Sequence, residues 1–181
     1  FEALCGARLL YNYIWPGGVS HDLPPLFIER TKEFIDYFAP KIVELNQLLT
    51  TNKIFIERSA DVGVLPADVA INYGVTGPSL RGSGVNFDLR KNEPYSIYEK
   101  FDFEVPVGKG EMGSVGDCWD RYYVRVLEME ESLKILRQAC DQIPEGDVHE
   151  VLPKKIRPAK GEIYSRYESA RGDVGFYIIS D

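Results

Sequence analysis

The chain has 181 residues, is 44% apolar and 27% charged, and carries 21 Lys and Arg against 28 Asp and Glu, a formal net charge of −7. The length predicts one domain with room for a hydrophobic core, and so ordinary a composition excludes a disordered chain. The acidic balance argues against nucleic acid as the main partner. No apolar run reaches the roughly 20 residues that a membrane helix needs.

The cysteines are few and widely spaced. Cys5, Cys118 and Cys140 form no C-x-x-C pair, whereas zinc sites and disulfide frameworks need paired spacing. The pattern therefore predicts reduced thiols and no metal site. With only His21 and His149 as imidazoles, a self-contained histidine-based active site is not expected.

Residues 1–60 are predicted to be mainly helical. Residues 1–13 are typical of the last turns of a helix, and Pro16, Gly17 and Gly18 then predict a turn. Asp22 is the expected N-cap of a long helix over residues 24–49, and Pro40 within it predicts a kink or a break. A short helix is expected at residues 54–59. The apolar stripe of the long helix comprises Phe27, Phe34, Phe38, Ile42, Leu45 and Leu49.

Residues 61–116 form a glycine-rich loop region, with two helical turns expected at residues 67–73. Large apolar residues alternate with Arg81, Asp88 and Arg90, which predicts an ordered loop held by ion pairs. The alternative for the two arginines is surface pairing, which contributes little. Apolar and acidic residues alternate over residues 101–107, which predicts a half-buried strand, and Pro106 confines it to a sheet edge.

Residues 117–143 predict a long helix that begins after Asp117 as N-cap, with Glu128 and Glu131 on a solvated face. The basic residues 154–160 are expected to form a solvated or subunit-facing loop, with a nucleic-acid patch as the less favoured alternative. Residues 161–180 predict a β-hairpin. The apolar seam of the long helix is Tyr122, Val126, Met129, Leu133, Leu136 and Cys140.

These elements predict a single domain of the α+β class that is predominantly α: a long-helix bundle with a short edge strand and a C-terminal β-hairpin. From the residues alone, no complete active site is present. The aromatic turn at residues 11–15 and the arginine-rich loop at residues 81–91 are the best candidates for an interaction surface.

An ordered series of motifs along nearly the whole chain resembles the D-type subunit of NADH–quinone oxidoreductase, the respiratory complex I. In chain order these are Gly6-Ala-Arg8, Tyr13-Ile-Trp-Pro-Gly17-Gly18-Val19, Asp22-Leu23-Pro24, Arg58, Gly63, Gly74, Gly77, Leu80-Arg81, Ser83-Gly84-Val85, Asp88-Leu89-Arg90-Lys91, Pro94-Tyr95, Gly116-Asp117, Asp120-Arg121, Arg125, Glu128-Met129, Ala170-Arg171-Gly172, Gly175-Phe176-Tyr177 and Ser180-Asp181.

The resemblance implies a fold similar to the large subunit of nickel–iron hydrogenases and a place in the peripheral arm of complex I, at the cytoplasmic face of the bacterial inner membrane. The family lines the quinone-reduction chamber together with a subunit that holds the terminal iron–sulfur cluster. This chain resembles only the central part of the family, somewhat under half. The His and Tyr that meet the quinone are therefore expected outside it, and no catalytic residue, metal or bound cofactor is expected within it.

The resemblance, applied residue by residue, implies that one group of residues faces the iron–sulfur cluster of the partner subunit: Arg8, Leu10, Tyr11 and Trp15. It assigns Arg81, Asp88 and Arg90 to loop ordering or to an interface.

Two positions depart from the family. Many members have a His at the position of Leu10 and an Arg at that of Trp15. A cationic group beside a cluster raises its reduction potential, and a protonatable one makes that potential pH-dependent. Leu10 and Trp15 can do neither, so the resemblance predicts that the cluster of the intact enzyme has a lower reduction potential with weak pH dependence.

Two alternatives stay open at this point. The chain could belong to the large subunit of a membrane-bound nickel–iron hydrogenase, although the nickel site needs two cysteine pairs that residues 1–181 do not supply. It could also be a purely structural segment that supports a cluster-bearing partner.

Overall fold

The computed structural model describes residues 1–153 and 155–181; Lys154, part of the predicted basic loop, lies outside the described residues. Over the described residues the fold is mostly helical, with 44% helix and two small antiparallel sheets, which confirms the predicted class. The helices are α1 Glu2–Cys5, α2 Phe27–Leu45, α3 Lys53–Ser59, α4 Ala67–Asn72, α5 Gly77–Gly82, α6 Leu89–Asn92 and α7 Cys118–Gln142, with a π-helical turn at Asn46–Thr50 and a 3-10 turn at Tyr98–Lys100. The strands are β1 Ile14–Trp15, β2 Gly18–Val19, β3 Gly161–Ser169 and β4 Gly172–Ser180.

The predicted helix over residues 1–13 is wrong beyond its first turn. α1 ends at Cys5 because Gly6 adopts a left-handed conformation (φ 69°) that closes the helix. The chain then runs irregularly to the short hairpin of β1 and β2, in which Ile14 pairs with Val19. The turn expected at residues 16–18 is therefore present.

The second helix, α2, begins at Phe27 rather than at residue 24. The Asp22 carboxylate accepts a hydrogen bond from the neighbouring Leu23 N–H at 2.7 Å, outside the helix, so the predicted N-cap is wrong. Of the kink or break predicted at Pro40, the break is absent, because α2 continues through this residue. Pro40 and Asp36, whose carbonyl loses its helical partner, both lie on the exposed face, where water can replace the missing hydrogen bond.

The long helix α7 forms as predicted and packs antiparallel against α2. The Asp117 carboxylate accepts the Asp120 N–H at 2.8 Å, a standard N-cap bond, and the helix ends before Pro144. Its N-terminal half carries the largest buried side chain, Trp119, which is 1% exposed. Further along, the predicted apolar seam is only partly covered, since Leu136 is 39% exposed. Two ion pairs, Lys32–Asp141 and Arg137–Asp36, tie the helices together. In α2, the fully buried residues are Ile35 and Ile42.

The strand predicted at residues 101–107 is extended but has no strand partner among the described residues. Phe101 and Phe103 are buried, whereas Asp102 and Glu104 are exposed, as the alternation predicts. Side chains of α7 replace the missing strand. Gln138 Oε1 accepts the Asp102 N–H at 2.8 Å, and Glu131 Oε2 accepts the Glu104 N–H at 2.9 Å. The predicted edge strand is thus an extended segment lying along a helix.

The C-terminal hairpin of β3 and β4 is confirmed, with a two-residue turn at residues 170–171. Its turn packs directly on α5. A side chain on Gly77, which has a left-handed φ of 66°, would come within 2.4 Å of Gly172 Cα, so this close approach requires glycine. Within residues 1–153 and 155–181, no helix is long and apolar enough to cross a membrane.

Candidate functional site

The first candidate surface is the segment of residues 1–19, which we call the N-terminal segment. Several of its large apolar side chains are exposed to solvent: Leu10 is 96% exposed, Ile14 82% and Trp15 50%. Groups of exposed apolar residues as large as this mark interaction sites more often than free surface. The sequence-predicted residues Arg8, Leu10, Tyr11 and Trp15 are therefore all accessible.

Local hydrogen bonds give this segment a defined shape. The Tyr11 hydroxyl donates to the Arg8 carbonyl at 2.7 Å, and its ring stacks on Phe1 with centroids 4.9 Å apart. The indole N–H of Trp15 donates to the Asn12 carbonyl at 3.1 Å. Arg8 pairs with Glu2 at 3.1 Å, and both side chains are mostly exposed.

Two histidines connect the N-terminal segment to neighbouring parts of the chain. His21 Nε2 lies 2.6 Å from the Leu4 carbonyl, and the Tyr13 hydroxyl donates to the His21 carbonyl at 2.8 Å. Gly18 forms an isolated β-bridge with His149. Both histidine residues thus make structural contacts that hold the N-terminal segment against neighbouring parts of the chain.

The second candidate is a buried group of charges, which we call the arginine network. Arg81, on α5, is 1% exposed and bonds to groups from three other parts of the chain. Its Nε donates to Glu128 Oε1 on α7 at 2.7 Å, and its Nη1 donates to Glu168 Oε1 on β3 at 2.9 Å. The same Nη1 donates to the Phe87 carbonyl at 3.0 Å and lies 3.5 Å from Asp88 Oδ2.

Asp88 links this network to Arg90. Its carboxylate accepts hydrogen bonds from the Arg90 guanidinium, from Nε to Oδ1 at 3.0 Å and to Oδ2 at 3.2 Å, and from Nη2 to Oδ2 at 2.6 Å. It also caps α6 by accepting the Arg90 N–H at 2.9 Å. The guanidinium carbon lies 5.0 Å from the centroid of the Phe103 ring, a favourable cation–π distance. The structure therefore brings the three predicted residues Arg81, Asp88 and Arg90 together.

Burial and pairing shift two of the acids in opposite directions. Burial alone would raise the pKa of Asp88, but the hydrogen bonds and charge of Arg90 outweigh it and hold that pKa below its usual value. Burial raises the pKa of Glu128, and the attraction of Arg81 offsets this only in part. The protein environment thus favours the ionised form of Asp88 and disfavours the ionised form of Glu128.

Glu128 and Glu168 are the partners that sequence reasoning missed. The prediction of a solvated face for Glu128, shared with Glu131, is wrong because the Glu128 carboxylate turns inward to Arg81. Glu168 also binds the Leu89 N–H at 3.2 Å, so it fixes the start of α6. These partners lie 47 and 87 residues from Arg81, so no local pattern reveals them. Because Arg81 is buried, its ion pairs are not the exposed, weakly stabilising pairs of the alternative interpretation.

An open groove of about 610 Å³ lies over the network, between the end of α2, α7 and the hairpin turn. Its lining residues include Glu128 and Arg90 of the network, together with Arg125 and Tyr122. The Tyr122 hydroxyl is 2.9 Å from the Thr50 hydroxyl, so it is already partnered. The groove is thus lined in part by the arginine network.

The cysteines do not come together. Cys118 and Cys140 lie on the same helix, 22 positions apart, a separation of about 33 Å at 1.5 Å per residue. Cys5 is on α1. In the part of the chain that the structure describes, no three His, Cys, Asp or Glu side chains are grouped so that they could hold a metal ion.

Comparison with known proteins gives a consistent result. Residues 1–159 match the family described as "Respiratory-chain NADH dehydrogenase, 49 Kd subunit". Among individual relatives, the D-type NADH-quinone oxidoreductase subunit of Chlorobaculum tepidum is 56% identical over 183 aligned residues, and that of Chlorobium luteolum is 57% identical. The corresponding subunit of Prosthecochloris aestuarii is 53% identical. Each match covers 99% of this chain and 46% of the relative, so the chain spans about half the length of the curated relatives it matches.

Proposed function

The chain belongs to the 49 kDa subunit family of respiratory-chain NADH dehydrogenase, and on this premise we propose that it is part of the subunit that lines the quinone-reduction chamber of NADH–quinone oxidoreductase. The complete subunit supports electron transfer from the terminal iron–sulfur cluster of a partner subunit to quinone. The observation that carries this proposal is the match at 56% identity along 99% of the chain.

The N-terminal segment is the surface that we assign to the cluster-bearing subunit. Two features support this assignment: its exposed apolar side chains and its defined local shape. An apolar surface around a cluster excludes water and so influences its reduction potential. Leu10 and Trp15 supply bulk there but no positive charge.

The arginine network is the part that holds this framework in place. Arg81 joins α5, α7 and β3 through charged hydrogen bonds. Asp88 and Arg90 order the loop that leads from α5 into α6. None of these groups needs to touch quinone or a cluster. Their role in the proposed function is to position the elements on which the chamber is built, in a peripheral subunit at the cytoplasmic face of the bacterial membrane.

A histidine introduced at position 10 tests the placement of the N-terminal segment. If Leu10 faces the cluster, Leu10→His in the intact enzyme couples a proton to cluster reduction. The midpoint potential then falls with rising pH by up to about 59 mV per unit, the limit for one proton per electron. The measurement is a redox titration of the terminal cluster, followed by electron paramagnetic resonance, at several pH values between 6 and 8.

The matched control is Leu9→His, which places the same imidazole one position earlier, on a side chain that is 77% exposed. We expect the parent enzyme to show a potential with weak pH dependence and the Leu9 variant to behave like it. A strongly pH-dependent potential in the parent enzyme, or no difference between the two variants, would contradict the assignment of Leu10.

A further inference from the structure

The outer edges of the C-terminal hairpin can be identified from its register. Residues of antiparallel strands alternate between pairs that exchange hydrogen bonds and pairs whose backbone groups point away from each other. The Asp173 N–H donates to Thr76 Oγ1 at 3.0 Å, and the Glu168 N–H donates to the Tyr95 hydroxyl at 3.2 Å. Glu168 and Asp173 face each other, so this pair has its backbone groups directed outward.

Every second pair from there on is directed outward in the same way. On β3 the outward residues are Arg166, Tyr164 and Glu162, and on β4 they are Gly175, Tyr177 and Ile179. Near the turn, Tyr95 and Thr76 occupy the two edges. Beyond them, none of these six backbone N–H groups has a hydrogen-bond partner within residues 1–153 and 155–181.

The two free edges differ in their chemistry. Along its free edge β3 carries Glu162 and Arg166, and charges of this kind protect a strand from pairing with another one. From Val174 to Ser180, β4 has no charged residue. It reads Val-Gly-Phe-Tyr-Ile-Ile-Ser, a nearly continuous apolar run that is typical of a strand buried inside a sheet.

The side chains of β4 are exposed although their composition is that of an inner strand. Phe176 is 59% exposed, Ile178 53% and Ile179 63%. A two-stranded hairpin is marginally stable on its own in water, and an uncharged edge is a template for a further strand. The composition and exposure of β4 therefore indicate that it has a neighbour in the complete protein.

We propose that a strand from the part of the full-length subunit outside residues 1–181 pairs with the outer edge of β4, at Gly175, Tyr177 and Ile179. The relatives are about twice as long as this chain, so the same polypeptide has ample length to supply it. β4 is then the central strand of a sheet of at least three strands, and the charged β3 is its outer strand. The arginine network gains a role, because Arg81 holds the turn end of that sheet through Glu168.

Hydrogen exchange of the full-length subunit in the intact enzyme tests this directly. The outward amides of Gly175, Tyr177 and Ile179 are expected to exchange about tenfold or more slowly than the outward amides of Glu162 and Tyr164 on β3, because only β4 has a new partner. Equal and fast exchange on both edges would overturn the proposal.

The source of the strand is decided by repeating the measurement on the full-length subunit separated from its partners. Protection that persists at all subunit concentrations supports a strand from the same polypeptide. Protection that is lost on separation assigns the strand to another subunit, and protection that depends on concentration assigns it to a second copy. Either result overturns the proposal.

Proline substitutions give an independent readout. Tyr164 and Tyr177 face each other as an outward-directed pair, so Tyr177→Pro and Tyr164→Pro remove equivalent N–H groups from the two edges. We expect Tyr177→Pro to lower the yield of assembled enzyme severalfold and Tyr164→Pro to leave it near the parent level, since proline is tolerated on edge strands. Equal loss in both variants would contradict an inner position for β4.

Discussion

The N-terminal segment and the arginine network use the same pair of residue types in opposite ways. Arg8 and Glu2 form an ion pair in which the side chains are 84% and 62% exposed, whereas Arg81 and Glu168 are 2% and 3% exposed. Water screens the first pair, so its contribution to stability is small. In the second pair the charges have lost their water and depend on each other. The interior thus uses charge to hold its elements together, while the N-terminal segment keeps its side chains available.

The largest expected effect is that of removing Arg81. Arg81→Ala leaves Glu128 and Glu168 without their buried cation, and breaking a buried pair in this way costs about 3–5 kcal/mol of unfolding free energy. We expect the full-length subunit to lose that much in urea denaturation, and the assembled enzyme to lose quinone reductase activity with it.

The matched control for that substitution is Arg8→Ala, which removes an arginine that also pairs with a glutamate. We expect a change within about 0.5 kcal/mol, as for other exposed ion pairs. Equal effects of the two substitutions would show that burial does not distinguish the two regions.

A smaller effect is expected from Asp88 and depends on pH. Its pKa in the folded protein is lowered, so its ionised form stabilises the fold fully above the unfolded pKa of about 3.9. That contribution is lost as the pH falls through the lower, folded value. The difference in unfolding free energy between the parent and Asp88→Asn is therefore expected to narrow between pH 5 and pH 3.

The measurement is a series of urea unfolding curves for both proteins across this pH range. A gap that stays constant would mean that the folded protein does not favour the ionised form of Asp88 over the unfolded chain.

Local patterns predict some parts of this fold well. α7 is predictable because its start and its end are both encoded nearby, by the capping Asp117 and by Pro144. The hairpin is predictable because two runs of β-forming residues flank a short turn. In both cases the decisive residues lie within a few positions of each other.

Other parts depend on contacts that no local pattern contains. The alternation at residues 101–107 correctly indicates extended backbone, but it cannot tell a neighbouring strand from the Gln138 and Glu131 side chains that replace it. The break expected at Pro40 does not occur because Pro40 lies on the exposed side of α2, and the sequence around it does not reveal which side that is. The helix expected over residues 1–13 ends at Cys5, and Gly6 caps it in a left-handed conformation. A glycine within a helical pattern is compatible with both a continued helix and a helix end, so the sequence alone does not decide between them.

The candidate site divides in the same way. Arg81, Asp88 and Arg90 can be recognised from their spacing within one loop, but Glu128 and Glu168 come from distant elements and become visible only once the fold places them around Arg81. The exposed residues of the N-terminal segment can be selected by resemblance. Their orientation toward a partner is a proposal for which exposure is the supporting observation.

The most direct test of the contrast between the two regions is the accessibility of position 10 before and after assembly. Leu10→Cys, in a full-length subunit without its native cysteines, is labelled with a maleimide in the separated subunit and in the assembled enzyme. Lys53→Cys, at a side chain that is 88% exposed on α3, serves as the reference. We expect labelling at position 10 to slow by about tenfold or more on assembly, relative to position 53, because thiol reactivity follows exposure. Equal labelling of position 10 in both states would contradict a partner-facing N-terminal segment.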